Sequence, residues 1–416
     1  MALTEREREV VDLLRSDPRL APGEIAERLG TTRAAINVHL SNLTRKGVVL
    51  GRGYILSEEP CVVVVGGANL DIKARSAATA ILGTSNPGSG AMAAGGVGRN
   101  IAENLARLGT PTYLIAAVGD DPMGERLLAD TAAAGVRLDH MHRSKHPTGT
   151  YTAVLDTGGE LVLAVADMTA TQYLLPEHLG PLRELLAHAG LLVLDGNLSA
   201  PTASHALDLG LAAGVPILLE PVSVPKAAAL APLITADRPL YAVTPNREEL
   251  TALTGLPSGT DEELIAAAGD LHERGVQHVW VRLGARGSLL SSRDEGHVVV
   301  PALPAAVEDV TGAGDAMLAA FAHALLAGHS ARDAVGHGTA AAALTIESAH
   351  TVRPDLSPRL LAQALAERAA PAGAGDAAGD RTTAKANPKT SPKTSPKTST
   401  KTSPAKGTTT STRSTT

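Results

Sequence analysis

The stretch Val307 to Leu318 reads VEDVTGAGDAML, and it sets Gly312, Ala313 and Gly314 directly before a carboxylate, Asp315. An apolar run of small residues, Ala316 to Gly328, follows at helical spacing. Small residues expose the backbone N–H groups of a turn, and the helix behind adds its positive N-terminal end. That combination is an anion hole at the start of a helix. A carboxylate would be repelled by the anion itself, so Asp315 at the lip reads as a base acting on an incoming hydroxyl. Hydroxyl, base and anion hole together point to phosphoryl transfer. Taken alone, the stretch also fits a glycine turn with Asp315 as helix cap. The rest of the chain decides between the two.

Working outward, residues 60–365 alternate strand and helix signals. Val62–Val65, Thr112–Ala117, Leu191–Leu194, Pro216–Leu219, Leu240–Val243 and His278–Arg282 are short apolar runs, expected as buried strands. Gly98–Leu108, Gly124–Ala134 and Asp261–Glu273 lie between them at helical spacing. This alternation predicts an α/β domain with a doubly wound, mainly parallel sheet. Two segments interrupt it. Residues 72–90 are polar and glycine-bearing, and residues 150–168 alternate around Asp156-Thr157-Gly158-Gly159, a hairpin signal. They are expected to form a small β lid over a site at the carboxyl ends of the main strands.

Residues 1–57 read as a separate domain. Thr4 and Glu7 form a capping-box pattern ahead of Val10, Val11 and Leu14. Pro22 opens a second helix, and Ile36, Leu40 and Leu43 lie on one face of a third. Two short apolar runs flank Gly51-Arg52-Gly53, a hairpin tip. Three helices and a basic-tipped hairpin resemble a winged helix-turn-helix, with Arg33, Asn37, His39, Arg45, Lys46 and Arg52 as candidate DNA-facing residues. A module for docking or dimerisation fits the same pattern. Residues 371–416 repeat Lys, Ser, Thr and Pro and contain no large apolar side chain, so a disordered tail is expected.

Charged residues make up 19% and apolar residues 44%, which suits a soluble protein. No apolar run reaches the roughly 18 residues of a membrane helix, and MALTEREREVV lacks the apolar core of a signal peptide. A single cysteine, Cys61, excludes an intrachain disulfide and a cysteine metal cluster. A cytoplasmic location is expected. The net charge of −6 hides an asymmetry, because residues 381–416 hold eight Lys and Arg and no acid. One Trp and one Phe argue against extensive base stacking on aromatic rings.

Further polar groups sit just past buried strands, where ligands bind in such sheets. Asn69 and Asp71 follow the first strand within Gly66-Gly67-Ala68-Asn69-Leu70-Asp71. Gly95-Gly96-Val97-Gly98-Arg99-Asn100 opens a helix after the first interrupting segment. Asn246-Arg247-Glu248-Glu249 follows Leu240–Val243, and Leu283-Gly284-Ala285-Arg286-Gly287 follows His278–Arg282. Each alone is a common cap or turn, but together in this order they are unlikely to arise by chance.

Over residues 61–357 they resemble the PfkB, or ribokinase-like, family of carbohydrate and nucleoside kinases, with GGVGRN and DVTGAGD as the paired signatures. The resemblance implies a phosphotransferase with an alcohol acceptor that uses ATP. Asp315 would be the base and Gly312, Ala313 and Gly314 the anion hole. Asn246 and Glu249 match an NxxE motif that positions Mg2+ and phosphates through water. Leu283, Gly284, Gly287 and Thr311 would border the nucleotide, and Asp309 would hold a monovalent cation, K+. Asn69, Asp71, Gly95, Gly96, Gly98 and Asn100 would grip the sugar.

Within the family the chain is most similar to pseudouridine kinases. Ser85-Asn86-Pro87-Gly88 precedes GGVGRNIAENLARLG, and Ala166-Asp167-Met168 ends the lid hairpin. The resemblance implies phosphorylation of the pseudouridine 5′-hydroxyl; Ser85, Asn86, Thr150 and Asp167 are candidates by position to meet the base, and a homodimer through the lid is a further expectation. Val310, Glu220 and Arg99 depart from the family pattern and bear on substrate choice. Other expectations remain: a kinase for ribose or another nucleoside, or a ligand-sensing transcription regulator on a kinase fold. A sugar phosphate would need a basic cluster near the lid, where residues 72–90 offer only Lys73 and Arg75.

Overall fold

The computed structural model describes residues 3–17, 20–49 and 60–369. The Thr4–Glu7 capping box forms as expected: Glu7 N donates to Thr4 Oγ1, and Thr4 N donates to Glu7 Oε2 at 2.7 Å. It starts helix α1 (Glu5–Ser16), which packs with α2 (Pro22–Arg28) and α3 (Arg33–Arg45) around Val10, Leu14, Ile25, Ile36 and Leu43. The expected hairpin tip with Arg52, and the tail from residue 371, lie outside the described residues.

The larger domain opens with β1 (Cys61–Val65), buried along its whole length. Strands β2 (Asn69–Ser76) and β3 (Gly88–Gly95) leave the main sheet, and helix α4 (Val97–Arg107) leads back to β4 (Thr112–Ile115). A short parallel pair, β5 (Ala117–Gly119) and β6 (His142–Ser144), flanks helix α5 (Pro122–Ala133). Then come β7 (Thr150–Leu155), β8 (Leu161–Asp167), β9 (Ala189–Asp195), β10 (Ile217–Glu220), β11 (Leu240–Val243) and β12 (Val276–Arg282). An antiparallel hairpin, β13 (Ser288–Ser292) and β14 (Gly296–Val300), ends the series.

The main sheet runs β14-β13-β12-β11-β10-β9-β1-β4 and is parallel from β12 to β4. Val63, Val65, Leu192 and Leu194 enter one apolar core, and Val62, Val64, Leu191 and Val193 the other. Both faces are therefore covered, as near-continuous apolar strands require. The expected strand Thr112–Ala117 is two strands. Its neighbour β1 ends at Val65, opposite Ile115, and beyond that point the chain pairs with β6.

The lid is a four-stranded sheet, β3-β2-β7-β8. Its hairpin β7–β8 follows the sequence pattern. Strand β3, GSGAMAAG, has no β-branched residue and takes its shape from pairing with β2 along all eight positions. Leu161, Leu163 and Val165 of β8 are exposed on one face of the lid.

Candidate active site

Parallel strands bring their carboxyl ends to one edge, and the polar residues gather there. Asp195 ends β9 and Glu220 ends β10, as register partners. Arg282 ends β12 and bridges to Asn246 beyond β11. Arg282 Nη2 donates to Glu220 Oε1 at 2.7 Å and to Glu249 Oε2 at 3.1 Å. Thr244 Oγ1 holds the other Glu220 oxygen at 2.6 Å. Burial alone would lower the Arg282 pKa, but the two carboxylates outweigh it and raise it, so the guanidinium stays charged.

The stretch around Asp315 lies against this arginine. Gly312 is the N-cap of the helix Ala313–Leu326 and adopts φ 82°, a left-handed conformation that glycine takes readily. A Cβ there would also sit 2.0 Å from the Thr351 carbonyl oxygen. A Cβ on Gly314 would sit 2.4 Å from Arg282 Nη1, so the guanidinium fills the space that a side chain would occupy. The Arg282 Nε is buried with no partner among the described residues. Helix N-terminus, bare turn and fixed cation thus coincide at one point.

Asp315 lies in the first turn of that helix and is 9% exposed. Asn100 Nδ2 donates to its Oδ2 at 2.8 Å. Its pKa is pushed up to about 8, first by burial. Glu220 and Asp195 add to the rise, while the Asn100 hydrogen bond and Arg282 oppose it. A carboxyl group tuned this way can take up a proton near neutral pH.

Asn69 Nδ2 donates to Asp71 Oδ1 at 2.7 Å at the start of β2, beside α4. The bareness of the GGVG run has an internal reason. A Cβ on Gly95 would meet the Asp71 carboxylate, one on Gly96 the Ala68 backbone, and one on Gly98 both Gly66 and Asp195. Asp195 Oδ2 accepts from Gly67 N at 2.9 Å and Gly98 N at 2.6 Å, tying both glycine loops together.

The residues expected to border the nucleotide are also built into caps and turns. Asn246 and Glu249 form a reciprocal capping box for the helix Arg247–Thr254, each side chain accepting the other's backbone N–H at 2.8 Å. Leu283 N donates to Gly287 O at 2.8 Å, and the space beside Gly284 is open. Asp309 Oδ1 accepts from Thr311 N and Oγ1, and its Oδ2 accepts from Lys73 Nζ of the lid at 3.2 Å.

In the lid, Thr150 is the register partner of both Leu70 and Asp167, so Thr150 and Asp167 stand next to the Asn69–Asp71 segment. Asp167 Oδ1 accepts from Thr169 N and Oγ1. Ser85 and Asn86 are exposed, and the Asn86 side chain closes its own loop on Ile81 and Thr84.

In the small domain Arg33, Asn37 and Arg45 are exposed along α3, while His39 is only partly so. Lys46 is engaged inside that domain, with Nζ 2.6 Å from Glu7 Oε2. Arg282 and Asp195, which the structure brings to this edge, were not among the residues expected from the sequence. The available signal was a single charged residue at the last position of a largely buried strand.

A family profile described as pfkB family carbohydrate kinase matches residues 60–357, and one described as winged helix-turn-helix DNA-binding matches residues 3–49. The chain is 34% identical to the uncharacterised sugar kinase YeiI of Escherichia coli strain K12, over 85% of this chain and 97% of that protein. It is 31% identical to the pseudouridine kinase of the same organism, over 73% of this chain and 95% of that protein. Among solved structures it is similar to Arabidopsis thaliana ribokinase complexed with ribose and ATP. That match has a TM-score of 0.66 at 29% identity and covers 74% of this chain and 99% of the other.

Proposed function

The chain belongs to the pfkB family of carbohydrate kinases, and from that premise we propose that it transfers the γ-phosphoryl group of ATP to the 5′-hydroxyl of pseudouridine. The observation that carries the reading is Asp315, held by Asn100 at the N-terminus of a helix whose glycine turn rests on Arg282. The hydroxyl oxygen attacks the γ-phosphorus, and its proton passes to Asp315. The bond from the γ-phosphorus to the bridging oxygen breaks, leaving ADP and pseudouridine 5′-phosphate. The backbone N–H groups of the Gly312–Gly314 turn and the Arg282 guanidinium meet the charge on the transferring group.

The nucleotide side fits this assignment. The open space beside Gly284 admits a ligand against backbone. Among the described residues no cluster of three or more His, Cys, Asp or Glu could hold a metal by itself. Magnesium in kinase sites is held mainly through substrate phosphates and one or two carboxylates. Glu249 would hold it through water, and the ion would supply charge neutralisation on the phosphates.

The expected monovalent-cation position fits less well, because the Lys73 ammonium already stands against the Asp309 carboxylate. We therefore expect turnover at the same rate in potassium and in tetramethylammonium buffers, and potassium dependence to appear in Lys73→Met. Potassium stimulation of the wild type that Lys73→Met leaves unchanged would restore the cation to that site.

For the acceptor, Asn69, Asp71 and Asn100 would hold the ribose and Thr150 and Asp167 would meet the base, a reading supported by the pairing of Thr150 with both Leu70 and Asp167 and by the Asn69–Asp71 hydrogen bond. Similarity to a pseudouridine kinase supports this choice. The test is an ATP-dependent phosphorylation screen of pseudouridine, uridine, ribose and fructose 1-phosphate. The highest kcat/KM is expected for pseudouridine, and a clear preference for ribose would overturn the acceptor while keeping the kinase.

We also propose that residues 3–49 bind DNA through the exposed face of α3, with Arg33 and Asn37 one turn apart. Affinity for the promoter of its own operon should fall steeply with salt, because phosphate contacts release counterions. A gel shift of the full chain at rising salt measures this, and Arg33→Ala should weaken the complex. No shift at low salt, with or without pseudouridine, would make the module a docking domain.

A further inference from the structure

Helix α4 carries an arginine that the reaction derived so far does not use. Arg99 is 4% exposed. Its guanidinium lies under β3 and α5: Nη1 donates to Ala94 O at 3.1 Å, Nε donates to Thr131 Oγ1 at 3.2 Å, and Nη2 pairs with Glu103. Glu103 is held from the other side by Arg107, whose Nη1 reaches the Pro354 carbonyl oxygen. The fork is thus fixed on three sides. Its remaining bond runs from Nη1 to Asn100 Oδ1 at 2.8 Å.

An asparagine amide has an accepting end and a donating end, and its neighbours choose which way each end faces. Here the oxygen of Asn100 meets Arg99, and the nitrogen meets Asp315 Oδ2 at 2.8 Å. With the amide reversed, its oxygen would face the carboxylate and repel it once ionised. We propose that Arg99 is a positioning residue for the base: it fixes the orientation of the Asn100 amide so that a donor always faces Asp315. Arg99 therefore lies behind Asn100 and bears on the base, where its departure from the family pattern had suggested an effect on acceptor choice.

The proposal rests on Asp315 being the base. The charged groups that act on Asp315 are Arg99 from α4, Asp195 from β9, Glu220 from β10 and Arg282 from β12. Asn100 contributes the hydrogen bond that favours its ionised form. Losing a bond to a charged group moves a titration by about one unit.

Arg99→Met and Arg99→Lys are the test variants. Lysine keeps the charge beside Glu103 and protects the fold, but it lacks the planar fork that serves Glu103, Thr131 and Asn100 at once. Two readouts are followed: the alkaline-rising limb of kcat/KM, and the pH dependence of thermal stability measured without substrates. Both are expected to move upward by about one unit, with kcat/KM below the limb falling about tenfold and KM for ATP unchanged. A folded variant of either kind with both readouts at the wild-type position overturns the proposal. If Arg99→Met does not fold, Arg99→Lys decides. A shift in the stability profile without one in kcat/KM would leave Arg99 in its role and remove Asp315 as the base.

Discussion

Asp315→Asn is expected to lower kcat by about 10²–10⁴-fold, the usual worth of a positioned base, with the fold and ATP binding retained. The asparagine is the same size, and its amide oxygen can still accept from Asn100, so packing is kept while the proton acceptor is lost. In the wild type, burial pushes the Asp315 carboxyl up to about 8. The base works only when ionised, so kcat/KM should rise with pH and level off above about 8. The same titration has a sign in stability. The folded state keeps a proton on Asp315 that the unfolded chain releases at the ordinary carboxylate value. Stability from this group is full below that value and is lost as pH rises to about 8. Asp315→Asn should flatten that decline in a series of thermal melts. Near-normal kcat in the variant on the acceptor that the wild type prefers would reduce Asp315 to a helix-capping residue.

Discrimination between pseudouridine and uridine is the second large effect, expected at about 10⁴-fold in kcat/KM. Pseudouridine is a C-nucleoside joined through C5, and its free N1–H stands where uridine has a C–H. A pocket built around that hydrogen bond leaves its own acceptor unpaired with uridine. Asp167, the register partner of Thr150 in the lid, is the proposed acceptor. Its Oδ1 already accepts from Thr169, which leaves Oδ2 for the base. Asp167→Ala should reduce the discrimination and spare ATP binding. Equal kcat/KM for the two nucleosides in the wild type would replace the pseudouridine assignment with a broad nucleoside or sugar kinase.

The main sheet was legible because its strands are buried on both faces and read as unbroken apolar runs. Asp315 and its glycine turn were legible because the motif is local. What could not be read were relations between distant segments. Arg282 appears in sequence as the end of a strand, and only the packing of β12 against the helix Ala313–Leu326 brings it to Gly314. Lys46 looked like a DNA contact until folding placed it beside Glu7, far away in sequence. The NxxE pair shows the reverse case. Its spacing suits a capping box as well as a phosphate site, and the structure uses it for the cap while keeping Glu249 against Arg282.

The order of strands also shapes how the chain is made. Strand β1 lies inside the sheet between β4 and β9, with Val63 opposite Tyr113 on one side and Leu192 on the other. On the ribosome, β4 follows β1 soon after, but β9 is made only after the whole lid. Throughout that interval a buried run of valines has one edge of its backbone bare. Such an edge is a template for pairing with another nascent chain. The lid segments that interrupt the alternation would thus delay closure of the core during synthesis, a cost of placing the lid sheet between the first strand and its partner.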